Sequence, residues 1–312
     1  MSLVINHNLM AMNAARNLSA AYGRLSTSTR RLSSGLRVGT AADDAAGLAI
    51  RELMRADIAS LNQGIRNAND AISMIQTADG ALQVIDEKLI RMKELAEQAA
   101  TGTYTSDQRL MIDSEYQAMA SEITRIANAT DFNGIHLLNG NLSSSHINPA
   151  EWELDHNGSG LDSTGPLKVH FGTGNDCAED YYYIAIGNAT ASAFGLGNNA
   201  DVNGANYIGG FTVSTQSAAQ SAMDGITAAI VSKDKIRAAL GALQNRLQNT
   251  ITNLSIQAEN LQAAESRISD VDVAQEMTNF VRNQILTQSA VAMLAQANSL
   301  PRMAMQLIGG GA

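Results

Sequence analysis

The sequence predicts a mainly α protein: both chain ends form a long antiparallel coiled-coil-like helical rod, with a small β-rich outer insert between them. Three observations predict this fold. Two segments of equal length repeat apolar residues at the period of a coiled coil. Only 3 of the 312 residues are proline, so helices can run without interruption. Between the two segments, the composition changes to glycine, aromatic and acidic residues.

The first helical segment runs from Met54 to Ala96. Its apolar positions advance by 4 and 3 residues in alternation, with a single slip, so that twelve steps cover 42 residues. An average step of 3.5 residues is typical of a coiled-coil seam. We therefore expect this helix to bury one face against a long partner.

A second, shorter helix is predicted from the residues that follow. Thr101-Gly102-Thr103 indicates a helix end, and Ser106 followed by Asp107 predicts the N-cap of a helix that continues to about Asn128. Asp131-Phe132-Asn133-Gly134 is typical of a tight turn. This part of the chain is expected to form a helix followed by a turn.

The insert spans 141–215 and differs in character from both ends. It holds eight acidic residues and one basic residue, which is −7 of the net charge of −9. The alternating patterns of 167–171 and 181–186 predict two strands. The segment is therefore expected to be a small acidic β-rich module.

The helical pattern returns near Gln216, where the steps from Ile226 to Ile268 again cover 42 residues. The match in length and period to 54–96 predicts antiparallel pairing of the two segments, with helix 107–128 alongside. At the extreme ends the pattern is weaker. There we expect apolar residues to face one another across a helix pair: Ile5, Leu9, Met12, Ala15, Leu18, Tyr22, Leu25 and Leu32 against Met277, Val281, Leu294 and their neighbours.

These patterns define three domains. A terminal helical pair is predicted from 1–43 with 270–312, a helical rod from 44–140 with 216–269, and an outer domain from 141–215. Because a two-helix pair buries little surface, we expect the terminal pair to be mobile in the monomer and to order only on assembly.

Several functional classes are disfavoured by composition and motifs. Residues 1–40 contain arginines and no acidic residue, a composition that could suit nucleic acid. These arginines do not alternate with aromatic residues and no nucleic-acid-binding motif is present, so we expect no nucleic-acid partner. The single Cys177 excludes an intramolecular disulfide. No apolar stretch predicts membrane insertion. The N-terminal residues lack the pattern of a Sec-type signal peptide, so we expect any export to use another route.

Three separated segments together resemble bacterial flagellin: SSGLRVGTAADDAAGLAI (33–50), TDFNGIHLLNG (130–140) and ILTQSAVAMLAQANSLP (285–301). The resemblance covers about 1–140 and 216–308. It implies a secreted structural subunit that self-polymerises into the extracellular flagellar filament for swimming motility, after export by the flagellar type III apparatus. In that architecture the terminal pair forms the inner core of the filament and the insert points outward.

The resemblance also implies partners: other copies of the subunit, the flagellar cap and hook-junction proteins, and an export chaperone. It assigns assembly to two short segments, which we list here: Asp43, Asp44, Ala45, Ala46, Gly47 and Leu48, and Leu294, Ala295, Gln296, Ala297 and Asn298. From the residues alone, Asp43 or Asp44 predicts a helix N-cap, and the small residues behind it permit close helix approach.

A second implication is recognition by the flagellin-sensing Toll-like receptor. Flagellins that it detects share an arginine, a leucine four residues later and a glutamate on the next helix, which correspond here to Arg91, Leu95 and Glu115. Arginine and leucine at this spacing lie on one helix face. The chain departs from the family pattern at Met92, Lys93 and Glu97. The alternative interpretation is that these residues make contacts between subunits of the filament.

No catalytic constellation is present, so we expect no enzyme activity, no cofactor and no metal site. Metal-capable side chains cluster between 146 and 156, but their spacing matches no helix face: His146, Glu151, Glu153, Asp155 and His156. Cys177 has no positioned base nearby in sequence. Two alternatives remain open, a hook–filament junction protein and a hydrolase displayed on a filament, of which the second lacks a metal motif.

Overall fold

The computed structural model describes residues 8–144, 151–158, 164–176, 179–197 and 212–309. The helices and strands follow in chain order: α1 (Leu9–Ser34), α2 (Ala45–Ala100), α3 (Ser106–Ala129), β1 (Asp131–Phe132), β2 (Ile135–His136), α4 (Trp152–Asp155), β3 (Leu167–His170), β4 (Tyr181–Ile184), α5 (Gln216–Ser269) and α6 (Val273–Gly309). The predicted mainly α fold class is confirmed. The chain divides into a terminal unit, Met1–Ile58 with Glu259–Ala312, and a central unit, Ala59–Ala258.

The core of the central unit is one apolar cluster to which α2, α3 and α5 all contribute. The predicted seam of α2 is buried: Leu82, Ile85 and Leu89 have no exposed surface. Residues from the other two helices belong to the same cluster and are also fully buried, among them Tyr116, Ile123 and Ile226. The long seams therefore bury each other, as their equal lengths predict.

Two ion pairs show the direction in which α5 runs along α2. Arg237 Nε donates to Asp79 Oδ1 at 2.7 Å, and Lys233 Nζ donates to Asp86 Oδ1 at 2.5 Å. The residue numbers rise on α2 as they fall on α5, so the two helices are antiparallel. The predicted pairing is confirmed.

The β structure consists of two antiparallel hairpins. In the first, β1 pairs with β2 across a turn in which Asn133 and Gly134 both have positive φ, at 52° and 83°. Asn-Gly is the residue pair that such two-residue hairpin turns favour. In the second, β3 pairs with β4, with Leu167 opposite Ile184. Both hairpins lie where the sequence predicts a turn and two strands.

The second hairpin is attached to the helices of the central unit at specific points. Asn67 Nδ2 donates to the His170 carbonyl oxygen at 2.8 Å. A Cβ atom at Gly64 would overlap the Phe171 carbonyl oxygen, so only glycine permits this close approach of strand and helix. On the other side, the Arg246 guanidinium lies 3.6 Å from the centre of the Tyr182 ring.

The terminal unit is built from α1, α6 and the adjoining ends of α2 and α5. Asn8 Nδ2 donates to the Ala297 carbonyl oxygen at 2.8 Å, and Arg31 lies 3.8 Å from Glu276. These contacts make α1 and α6 antiparallel. After α1, the Arg37 amide donates to the Ser269 carbonyl oxygen at the end of α5, and the Gly35 carbonyl oxygen accepts from the Val271 amide.

The structure supports the predicted interface of α1 with α6 only in part. Leu18, Leu25, Leu32 and Leu294 are half-buried, and Ile5 lies outside the described residues. Leu9, Met12 and Tyr22 are 65%, 58% and 52% exposed, and Met277 and Val281 are each 45% exposed. The buried residues between these helices are small, such as Ala21, Ser28 and Ala297. Small side chains let two helices approach closely, and larger apolar side chains such as Leu9 and Met12 are left facing outward.

The N-cap of α3 also differs from the prediction. Thr105, rather than Ser106, caps the helix: Thr105 Oγ1 accepts from the Gln108 amide at 3.4 Å, and Gln108 Oε1 accepts from the Thr105 amide at 3.0 Å. This reciprocal pair is a capping box, which requires Ser or Thr three residues before Glu or Gln. Thr105 has that spacing to Gln108, whereas Ser106 does not.

Candidate assembly and receptor surfaces

The loop between α1 and α2 is held by two aspartates with different partners. Asp43 accepts hydrogen bonds from the Thr40 amide and hydroxyl, at 3.2 and 2.9 Å. It also forms an ion pair with Arg30 at 2.8 Å. The hydrogen bond from the Thr40 hydroxyl, together with the charge of Arg30, holds the pKa of the Asp43 carboxyl below its ordinary value. Asp43 therefore closes the turn before the helix rather than capping it.

Asp44 is the N-cap of α2. Its Oδ1 accepts from the Gly47 amide at 2.9 Å, and its backbone oxygen accepts from the Leu48 amide. A Cβ atom at Gly47 would lie 2.5 Å from Asp44 Oδ2, so glycine makes room for the cap. Ala45 and Ala46 are exposed beside it. The first turn of α2 thus presents a small, open surface.

The second predicted assembly segment lies on α6 and is only partly accessible. Ala297 is buried and accepts the hydrogen bond from Asn8, and Leu294 is half-buried. Ala295, Gln296 and Asn298 are exposed. One face of this segment therefore packs on α1, and the other is open to solvent.

The predicted receptor residues divide into an exposed pair and a buried leucine. Arg91 Nε and Nη2 both donate to Glu115 Oε1, at 3.0 and 2.8 Å, and Nη1 donates to Glu94 at 3.0 Å. These hydrogen bonds to Glu115 and Glu94 raise the pKa of Arg91. Arg91 and Glu115 are both about half exposed. The structure thus joins two residues that are 24 positions apart in the sequence.

Leu95 requires a correction. Its side chain is 1% exposed and belongs to the core of the central unit, so it does not offer an anchor to a partner in this fold. Arg91 and Leu95 do lie one turn apart, but the face of α2 that carries Leu95 also carries the buried Met92 and Ala99. The exposed side of this stretch consists of charged and polar side chains, including Lys93 and Glu97.

Two groups of charged residues were not singled out from the sequence. One is the pair of ion pairs between α2 and α5, in which Lys233 is 2% exposed. The sequence contains a signal for it, because Lys233 falls on an apolar position of the predicted seam. The other group is a set of arginines on α1 and α6, with Arg24 and Arg31 seven residues apart. Seven residues are about two helical turns, so Arg24 and Arg31 lie on one face of α1.

Two of the metal-capable side chains of the insert, Asp155 and His156, have other contacts. Asp155 Oδ2 accepts from the Ser144 hydroxyl at 2.7 Å, and His156 Nδ1 lies 2.8 Å from the Pro166 carbonyl oxygen. Within the described ranges no three His, Cys, Asp or Glu side chains form a group that could hold a metal ion. His146 and Cys177 lie outside the described residues.

Paired terminal helices around an insert are also found in known proteins that this chain resembles. Residues 5–143 match the family described as bacterial flagellin N-terminal helical region, and residues 223–308 match the bacterial flagellin C-terminal helical region. The chain is 38% identical to flagellin FlaB2 of Treponema pallidum (strain Nichols), over 98% of this chain and 100% of that protein. It is 40% identical to flagellin of Bacillus subtilis (strain 168), over 97% of this chain and 99% of that protein.

A solved structure of a putative flagellar hook-associated protein from Vibrio parahaemolyticus is similar in fold. Its TM-score is 0.52 at 14% identity, and the match covers 73% of this chain and 100% of that one. This likeness supports the fold alone. The two helical-region matches and the full-length similarities identify the family: the chain belongs to the bacterial flagellins.

Flagellin is the structural subunit of the extracellular flagellar filament and has no enzymatic activity. The expectations of a filament subunit and of self-assembly are therefore confirmed, and the family match disfavours the hook–filament junction and hydrolase alternatives. Among the helices that the structure describes, none has a stretch long and apolar enough to cross a membrane.

Proposed function

We propose that this flagellin polymerises through its terminal unit. In this proposal 1–43 and 270–312 form the inner core of the filament, 44–140 with 216–269 form the helical rod around it, and 141–215 points outward. The observation that carries the proposal is the number of large apolar side chains left exposed on the two terminal helices. On α1 and α6 they are Leu9, Met10, Met12, Tyr22, Val273, Met277, Val281, Ile285, Leu286, Val291, Met293 and Met303.

The physical argument is that these side chains stabilise the polymer when other copies cover them. Burial of a large apolar side chain contributes about 1.5–3 kcal/mol. A contiguous exposed apolar surface on a folded protein marks a place where another molecule binds. In a homopolymer every copy offers the same surface, so each subunit both covers neighbours and is covered by them.

We include the two predicted segments in these contacts. The exposed alanines Ala45 and Ala46, next to the cap formed by Asp44, offer a surface that another helix can approach closely. On α6, the open face of 294–298 carries Ala295, Gln296 and Asn298. The remaining members of both segments, Asp43, Gly47, Leu48, Leu294 and Ala297, hold the backbone of these surfaces in place.

Electron microscopy of purified monomer seeded with filament fragments tests the proposal. We expect long tubes of uniform diameter from the unaltered chain. The Leu9→Ser variant removes a side chain that is 65% exposed on α1, and we expect its critical concentration for polymerisation to rise about tenfold, which corresponds to about 1.4 kcal/mol. Leu154→Ser is the matched control, because Leu154 is 76% exposed on the insert. Equal critical concentrations for the two variants would contradict the assignment of α1 to the core.

Three further partners belong to this proposal: an export chaperone, the flagellar cap and the hook-junction protein. Before assembly, the exposed apolar residues of α6 must be shielded from water and from premature association. A chaperone that binds α6 would shield them. The cap and hook-junction proteins would meet the terminal unit at the two ends of the filament. A native binding assay with the chaperone should show weaker binding for Val281→Ser with Ile285→Ser than for Leu154→Ser.

We also propose recognition by the flagellin-sensing Toll-like receptor, through Arg91 and Glu115 without Leu95. The support is the exposed Arg91–Glu115 ion pair between α2 and α3, whose charged groups suit a polar contact with a partner. In a reporter-cell assay, Arg91→Ala should lower the signal. Arg125→Ala is the control, because Arg125 makes a similar exposed pair with Glu122 on α3. A signal that falls equally for both variants, or for neither, would refute the assignment.

A further inference from the structure

Four asparagines of the chain are each followed by glycine: Asn133, Asn139, Asn157 and Asn203. In an Asn-Gly pair the backbone nitrogen of the glycine can attack the side-chain amide carbon of the asparagine, because glycine has no side chain to shield its amide. The attack needs a main chain that can rotate, an asparagine side chain that can turn, and a group that accepts the proton of the glycine amide. Asn203 lies outside the described residues, and the structure distinguishes the other three.

Asn133 and Gly134 form the turn between β1 and β2, and both residues are exposed. Each has a positive φ, at 52° and 83°. The two residues lie between the paired positions of the strands, so no ladder hydrogen bond restrains them. Within the described part of the chain, the Asn133 side chain has no hydrogen-bond partner. The asparagine amide is therefore free to turn toward the main chain that follows it.

A proton acceptor stands beside the same turn. The Gly134 amide donates a hydrogen bond to Asp131 Oδ2 at 3.2 Å. This amide carries the proton that must leave before its nitrogen can attack. Asp131 is exposed, and a carboxylate held within hydrogen-bond distance of a proton is placed to accept it. Nucleophile, amide carbon and proton acceptor therefore meet within 131–134.

The second pair, Asn139-Gly140, is held in place instead. Asn139 Oδ1 accepts a hydrogen bond from the Asn141 amide at 3.0 Å, which fixes the asparagine side chain. The Asn188 side chain packs on Gly140, where an added Cβ would lie 3.0 Å from Asn188 Nδ2. Both Asn139 and Gly140 are half-buried. Ring closure at Asn139 would break the first contact and disturb the second.

The third pair is restrained through its main chain. The Asn157 amide donates to the Thr164 carbonyl oxygen at 2.8 Å, and the Asn157 carbonyl oxygen accepts from the Thr164 amide at 3.0 Å. Rotation of the main chain at Asn157 would break this bridge, although the residue itself is exposed. Among the pairs that the structure describes, Asn133-Gly134 alone meets all three conditions.

We propose that Asn133 is a site of spontaneous deamidation, in which Asp131 accepts the proton of the Gly134 amide. The Gly134 nitrogen forms a bond to Asn133 Cγ. The side-chain nitrogen then leaves as ammonia with the proton that Asp131 took up, and a succinimide ring remains. Water opens the ring at either carbonyl carbon and leaves isoaspartate or aspartate at position 133. The balance is one water consumed and one ammonia released, and the reaction requires no second copy of the chain.

Both products change the first hairpin. Each places a new negative charge beside Asp131. Isoaspartate also adds a CH₂ group to the main chain, so the connection loses the two-residue geometry that joins β1 to β2. Phe132 and Ile135 pack against the core of the central unit, and Leu137 is fully buried in it. Deamidation at the turn should therefore loosen the edge of this core.

Incubation of the folded monomer at mildly alkaline pH, followed by tandem mass spectrometry, tests the proposal. We expect Asn133 to be converted at least about tenfold faster than Asn139. In urea the difference should largely disappear, because both residues precede glycine and neither is then held by the fold. Equal rates in the folded protein would overturn the proposal. A difference that persists in urea would also overturn it, because local sequence would then be the cause.

The Asp131→Asn variant isolates the proton acceptor. It keeps an oxygen that can accept the hydrogen bond from Gly134 but removes the carboxylate that takes up the proton. Conversion of Asn133 should slow at least about tenfold. The control Asp57→Asn removes an exposed charge elsewhere and should leave the rate unchanged. A rate in Asp131→Asn that matches or exceeds that of the unaltered chain would overturn the role of Asp131.

Amide hydrogen exchange measures the consequence for the hairpin. The Leu137 amide donates to the Thr130 carbonyl oxygen at 3.1 Å across the base of the hairpin, and its protection should fall as incubation proceeds. The Asn133→Gly variant cannot deamidate, and glycine also adopts the positive φ of this position. Its Leu137 amide should stay protected. An equal loss of protection in both proteins would overturn the proposed effect on the hairpin.

Discussion

At the scale of single residues, Lys233 decides how two long helices align. Its ammonium group is enclosed in the core of the central unit, 2.5 Å from Asp86 and 2.8 Å from Asp234. Burial lowers the pKa of Lys233, but the hydrogen bonds that its ammonium group donates to Asp234 and Asp86 outweigh that effect and leave the pKa above its ordinary value. The lysine therefore stays charged, and its position relative to Asp86 sets the register of α5 on α2.

We expect Asp86→Asn to lower the free energy of unfolding by about 1–3 kcal/mol, because it leaves a buried cation with less compensation. Urea denaturation measures the change. Asp234→Asn is the control: Asp234 is 60% exposed, so its loss should cost less than about 1 kcal/mol. A larger effect from Asp234→Asn than from Asp86→Asn would show that Asp234 is the main partner.

Asp43 and Asp270 make the terminal unit sensitive to acid. Hydrogen bonds from the Thr40 hydroxyl, aided by Arg30, lower the pKa of Asp43, and those from Ser266 and Ser269 lower the pKa of Asp270. Carboxyls with a lowered pKa contribute stability above the ordinary value of 3.8. This contribution is lost as the pH falls through the lower values of the folded protein.

The pH prediction is that helicity, followed by far-UV circular dichroism, declines as the pH is lowered below about 4. The Asp43→Asn, Asp270→Asn variant should show a smaller decline, since it lacks the two groups that take up protons. Asp57→Asn, an exposed residue of the same unit, should titrate like the unaltered chain. Identical curves for all three proteins would show that Asp43 and Asp270 do not cause the loss of helicity at low pH.

At the scale of elements, the position of the second hairpin depends on a glycine in α2. Gly64 leaves no room for a side chain because the Phe171 carbonyl oxygen lies against it. One turn later, Asn67 donates a hydrogen bond to the preceding carbonyl oxygen, that of His170. Gly80 is in the same helix with nothing within 4 Å of an added Cβ. The two glycines therefore have different physical roles, although both weaken the helix by about 1 kcal/mol relative to alanine.

We predict that Gly64→Ala destabilises the central unit, because its methyl group forces β3 away from α2 and breaks the hydrogen bond from Asn67. Gly80→Ala should stabilise the protein by up to about 1 kcal/mol through helix propensity alone. Urea denaturation of both variants gives the comparison. The prediction fails if both substitutions are stabilising.

At the scale of the whole molecule, the two units differ in how much apolar surface each buries. The central unit has a continuous core, with Leu82, Met92 and Ile123 fully buried. The terminal unit leaves large apolar side chains such as Leu9 and Met293 mostly exposed. A helix pair that buries little is marginally stable in water, which agrees with a role that is completed in the polymer.

The corresponding prediction concerns amide hydrogen exchange. In dilute monomer, amides of α1 and α6 should exchange fast, and in the filament they should be protected, because assembly covers their apolar faces. Amides of α2 near Ile85 should be protected in both states and serve as the internal reference. Protected α1 and α6 amides in the monomer would contradict the expectation that the terminal pair orders only on assembly.

Much of the fold follows from local sequence. The 3.5-residue seams predict α2 and α5 and their antiparallel pairing, Asn133-Gly134 predicts the first hairpin, and separated motifs predict the family. The N-cap of α3 could also have been read at this level: Thr105 and Ser106 are both suitable residues, but only Thr105 stands three residues before a glutamine, and its hydrogen bonds with Gln108 show the capping box.

The sequence by itself determined the helices, the order of the elements and membership of the flagellin family, because periodicity and motifs are properties of neighbouring residues. Tertiary structure decided which faces are buried. It places Leu95 in the core and Leu9 in solvent, and it brings Arg24, Arg31 and Arg282 around one cleft. The reason is physical: exposure and charge proximity depend on what packs against a helix. Residues far apart in the sequence supply that packing, as Asn8 and Ala297 do at a separation of 289 positions.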